Sequence, residues 1–81
     1  MTTPNAQNTT TPPPAAQGSH FWTLTLELPG RASMTQSGTY TPPPGTSRYD
    51  AFQALRRYVI ADHPEMERAT TLFFALESNR L

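Results

Sequence analysis

The chain has 81 residues, six basic against six acidic groups, and no cysteine. That length holds one domain, and the missing thiols exclude a disulfide framework and any thiolate metal site. A zero formal charge fits poorly with a dedicated nucleic-acid binder, which carries a basic excess to neutralise phosphates.

Residues 1–18 carry no charge and no large apolar side chain beyond Met1. Thr, Pro, Asn and Gln dominate, and such a stretch cannot bury enough surface to offset chain entropy, so a disordered tail is expected. Thr11-Pro12-Pro13-Pro14 recurs as Thr41-Pro42-Pro43-Pro44. Polyproline segments of this kind serve either as ligands for aromatic grooves or as stiff spacers, and both readings stay open. The start, Met1-Thr2-Thr3-Pro4-Asn5, has neither the basic nor the apolar region of a secretory leader. No run approaches the roughly 20 apolar residues of a membrane span. Together with the absent cysteines, this gives the expectation of a cytoplasmic chain with no membrane partner.

Residues 19–81 read as one small α+β domain. From Phe21 to Leu28 apolar and polar residues alternate, which puts Trp22, Leu24, Leu26 and Leu28 on one face of a strand and Phe21, Thr23, Thr25 and Glu27 on the other. Pro29-Gly30 supplies turn chemistry, and Met34–Thr41 is a weaker strand returning as a hairpin, with Gly38 marking a bulge or an edge. Pro42-Pro43-Pro44 ends it, because three successive residues have no N–H to give.

A helix over 47–62 follows. Ser47 is placed as N-cap with Asp50 three residues on, and Phe52, Leu55, Val59 and Ile60 recur at helical spacing before Pro64 forces an end. Residues 64–68 read as a charged connection, either irregular or forming one helical turn. Thr70–Glu77 is a third strand, with Leu72, Phe74 and Leu76 on one face and Thr71, Phe73 and Ala75 on the other.

The order is therefore ββαβ, a three-stranded sheet in the order 2-1-3 with one helix on one face. The most apolar strand takes the centre, and the strand–helix–strand crossover is expected to be right-handed. Phe21, Thr23, Thr25, Thr71 and Phe73 would then lie on a sheet face that nothing else covers, with Phe21 and Phe73 near each other on adjacent strands as an apolar patch.

Chemical motifs are absent. Asp62-His63-Pro64-Glu65 contains an H-x-E, but the P-C-x-x-C that completes a zinc deaminase site cannot follow in a chain without cysteine. His20 stands alone at a strand entry. There is no G-x-S-x-G, Walker A loop or G-x-G-x-x-G. One helix on one sheet rarely encloses a catalytic pocket, so the chain is expected to be no enzyme, with no catalytic, cofactor or metal site. Arg48, Arg56 and Arg57 form a basic cluster on the helix, read either as a phosphate or carboxylate clamp or as a solvated helix face.

The segments Gly38-Thr39-Tyr40-Thr41, Pro43-Pro44-Gly45-Thr46-Ser47-Arg48 and Leu72-Phe73-Phe74-Ala75-Leu76-Glu77-Ser78-Asn79 resemble short actinobacterial proteins of the streptomycete type, a group of unknown function. Exclusive use of Arg as the basic residue agrees with that resemblance, which implies no activity and no site residue. Two uses of the open face remain. One is a protein-interaction or regulatory module, acting on a protein partner or a second copy. The other is a stacking platform for single-stranded nucleic acid.

Overall fold

The computed structural model describes residues 16–81; the expectations for residues 1–15 lie outside the described residues. The elements are β1 (His20–Leu28), β2 (Ala32–Tyr40), α1 (Arg48–Asp62), a 3-10 turn (Pro64–Met66) and β3 (Thr70–Ser78). Both β2 and β3 pair antiparallel with β1, giving one sheet in the order β2-β1-β3. The expected ββαβ layout and 2-1-3 order are what the structure has.

The alternation in β1 has its consequence here. Trp22, Leu24 and Leu26 are buried to 2% exposure or less under the helix, in the strand that has neighbours on both sides. The hairpin closes through Leu28-Pro29-Gly30-Arg31, where the Arg31 N–H donates to the Leu28 carbonyl at 2.9 Å. Pro fits the second position of this turn, and Gly30 supplies the φ of +73° that the third requires. Gly38 has a packing role: a Cβ there would stand 3.2 Å from Trp22 Nε1, so the missing side chain lets the indole lie across β2.

The Ser47 cap forms, with the Asp50 N–H donating to Ser47 Oγ at 3.0 Å. Ala51, Leu55 and Val59, spaced by four, make the buried line of α1. Phe52 reaches Phe74 edge-on at a centroid distance of 5.1 Å, and Tyr58 meets Trp22 at 6.3 Å and 89°. Pro64 begins the 3-10 turn, and Met66, at 1% exposure, closes the core at that end together with Ala69. The charged connection is thus one helical turn, and it contributes a core residue.

Two expectations need correction. Gln17 and Gly18, assigned to the tail, are tied to the domain: Asn79 Nδ2 donates to Gln17 Oε1 at 3.0 Å and to the Gly18 carbonyl at 3.1 Å, while the Gly18 N–H donates to Thr39 Oγ1 at 2.9 Å. Second, the period-two reading of β3 fails at Leu72. Thr25 pairs with Phe73, but Leu26 pairs with Thr71, so Leu72 is the extra residue of a β-bulge. Among the described residues no helix is long and apolar enough to cross a membrane.

Candidate interaction surface

Residues directly opposite in an antiparallel ladder share a sheet face, so the register assigns each side chain. The face away from α1 takes Phe21, Thr23, Thr25 and Glu27 from β1. Their partners on β2 are Thr39, Ser37, Thr35 and Ser33, all exposed. The centre and one side of the face are thus a field of hydroxyls, and it is ordered: Thr25 Oγ1 lies 2.9 Å from Thr35 Oγ1, and Thr23 Oγ1 lies 3.2 Å from Ser37 Oγ.

On the β3 side the face is apolar. Phe73 stands opposite Thr25 and is 54% exposed. The bulge adds Leu72 to it. Thr71, opposite Leu26, and Phe74, opposite Leu24, both belong to the helix side; Leu72 and Phe73 between them turn outward, Leu72 at 56% exposure. Two assignments made from alternation are thereby reversed. Thr71 leaves the open face and is half-buried on the helix side, and Leu72 leaves the helix side for the open face. The cause is the single extra residue, since a shift of one flips every side chain beyond it.

Phe21 is on the open face as expected, but it does not adjoin Phe73. It pairs with Glu77, four residues from Phe73 along β3, or about 13 Å at the rise of a strand. Thr23 and Ala75 lie between them. The apolar patch is therefore Leu72 with Phe73, and Phe21 is a separate aromatic beside the Glu77 carboxylate.

The basic cluster is dispersed by the fold. Arg48 Nη1 donates to the Leu76 carbonyl at 3.0 Å. Arg56 Nη2 donates to the carbonyls of Glu67 at 3.1 Å and Ala69 at 2.9 Å. Both guanidiniums fasten α1 to the chain at the two ends of β3, on the helix side of the sheet. Arg57 is exposed on α1. The charged side chains of the strands on the open face are the carboxylates Glu27 and Glu77, so the three arginines and the open aromatics do not form one surface.

Another polar feature is an open cleft of about 510 Å³ between the start of β1 and the start of α1, with His20, Ser47, Arg48 and Glu77 on its walls. His20 Nδ1 is 2.8 Å from Ser19 Oγ, and His63 lies far along the chain at the end of α1, 3.5 Å from Glu65. No group of three His, Asp or Glu side chains converges among the described residues. No family model, curated protein or solved structure matches the chain.

Proposed function

We propose that the chain is a non-catalytic interaction module that docks a protein partner on the open face of its sheet. The observation that carries this reading is the pairing of an exposed Leu72-Phe73 patch with a hydrogen-bonded field of Thr and Ser hydroxyls on the same face. Exposed large apolar side chains beside polar groups able to hydrogen-bond are the composition of a docking surface. A cysteine-free chain suits action in a reducing compartment, which supports a cytoplasmic setting.

Nucleic acid is the weaker occupant. Phosphates bound along this face would meet Glu27 and Glu77, while Arg48 and Arg56 are engaged with backbone carbonyls on the other side. The acidic rim suits a polypeptide with basic side chains flanking an apolar anchor.

The test is Leu72→Ser with Phe73→Ser, and separately Phe21→Ser, in the full chain. Folding is followed by circular dichroism, and polypeptides retained from a lysate of the source organism are compared with those retained by the native chain. The reading expects a folded double variant that loses a specific retained polypeptide, with a smaller effect at Phe21. A double variant that unfolds would assign both side chains to the core. A folded one that retains the same set would remove the patch from the interaction.

A further inference from the structure

The two edges of the sheet differ. β3 carries a bulge at Leu72, Arg48 occupies the carbonyl of Leu76, and Arg56 occupies that of Ala69 just before the strand. Bulges and covering side chains are the devices by which proteins keep an edge from pairing with another chain. Among the described residues, β2 has none of them along residues 32–38; Gly18 meets the strand at its far end, where the Gly18 N–H donates to Thr39 Oγ1. Its nine residues, Ala32-Ser33-Met34-Thr35-Gln36-Ser37-Gly38-Thr39-Tyr40, contain no charge and no proline, and they pair with β1 without a register shift.

The sequence of β2 is also complementary to itself. An antiparallel pairing of two copies centred on Gln36 uses all nine residues. It sets Thr35 opposite Ser37 of the second copy and Ser33 opposite Thr39, which repeats across the edge the hydroxyl pairs already formed between β1 and β2. On the helix side it sets Met34 opposite Gly38. Gly38 lies against the indole of Trp22, which lines an apolar cleft of about 230 Å³ with Thr39, Tyr40, Ala54, Leu55 and Tyr58, the last 58% exposed. An unbranched, flexible thioether side chain suits so irregular a space.

We propose that the chain self-associates through β2, two copies joining antiparallel about Gln36 into a continuous six-stranded sheet with Met34 of each copy seated over Gly38 of the other. The occupant is a second copy because one strand supplies both halves of every match: hydroxyl with hydroxyl, and methionine with the cleft beside glycine. The contact is two-fold and closes on itself, consuming both open edges. It also extends a core that, among the described residues, has nine buried side chains, a size at which a subunit interface adds needed stability. The surface is the edge of the sheet and not its open face, so this proposal and the docking of a partner stand or fall separately.

The test uses charge placed by register. Thr35→Lys with Ser37→Lys sets like charges opposite each other across the proposed contact, whereas Thr35→Lys with Ser37→Glu sets opposite charges there. Both positions are exposed, so folding is retained and is checked by circular dichroism. Sedimentation equilibrium of the native chain is expected to give twice the 9.0 kDa monomer mass. The Lys/Lys variant is expected to weaken association at least tenfold, and the Lys/Glu variant to keep it. Hydrogen exchange on the native chain gives a second readout free of substitution: β2 amides slow with rising protein concentration, and β3 amides do not. A native chain that stays monomeric into the millimolar range overturns the proposal. A dimer indifferent to the Lys/Lys change, or broken equally by both variants, overturns it as well.

Discussion

Replacing Arg56 by Ala separates a structural guanidinium from a ligand-binding one. Arg56 Nη2 donates to two carbonyls, Glu67 at 3.1 Å and Ala69 at 2.9 Å. Ala69 is itself only 7% exposed, so its carbonyl has limited access to a replacement donor. A hydrogen bond from a charged donor contributes about 1.5–3 kcal/mol, and the exposed contact to Glu67 belongs at or below the low end, so the substitution is expected to cost about 2–3 kcal/mol. In a domain of this size each kcal/mol lowers Tm by about 4–8 °C. Arg57, one residue on and exposed, is the control: Arg57→Ala is expected to stay within about 0.5 kcal/mol of the native chain. Urea unfolding read from the fluorescence of Trp22, the single tryptophan and 2% exposed, measures both variants. Equal midpoints for the two variants would refute the view that Arg56 fastens the helix to the approach of β3.

Two further substitutions probe local claims. Ser47→Ala removes the acceptor of the Asp50 N–H at the start of α1 and is expected to cost about 0.5–2 kcal/mol in chemical denaturation; no loss would mean the cap contributes nothing. Gly18→Ala places a Cβ 2.5 Å from the Tyr40 nitrogen, a backbone atom that cannot swing aside, so a loss of about 1–3 kcal/mol is expected, and an unchanged midpoint would show that residues 17–19 do not pack on β2.

The elements were legible in the sequence because each has a strong local cause. Alternation in Phe21–Leu28 marks the central strand, Pro29-Gly30 its turn, and Ser47 with Asp50 the helix start. The apolar ranking of the strands gave their order. What alternation could not reveal is a register error. Nothing in Thr70-Thr71-Leu72-Phe73-Phe74 announces the bulge, since three consecutive large apolar residues satisfy two registers equally well, and the ladder with β1 decides between them. The same limit misplaced Thr71 and brought Phe21 and Phe73 together, because face membership says nothing of distance along a strand. Met66 lacked any periodic context among charged neighbours; the available signal was Pro64, which opens a 3-10 turn as readily as it ends a helix. The arginines were visible as a cluster in sequence, yet their acceptors are main-chain carbonyls of residues 67, 69 and 76, which no side-chain pattern displays.

The claim that the open face is the docking surface is tested most directly by a photo-crosslinking phenylalanine analogue at position 73, compared with the same group at position 57 on the far side of the sheet. Irradiation in a lysate of the source organism is expected to join a distinct polypeptide to the chain from position 73 and not from position 57. Adducts of equal yield from both positions, or from position 57 alone, would contradict the assignment of the interaction to this face.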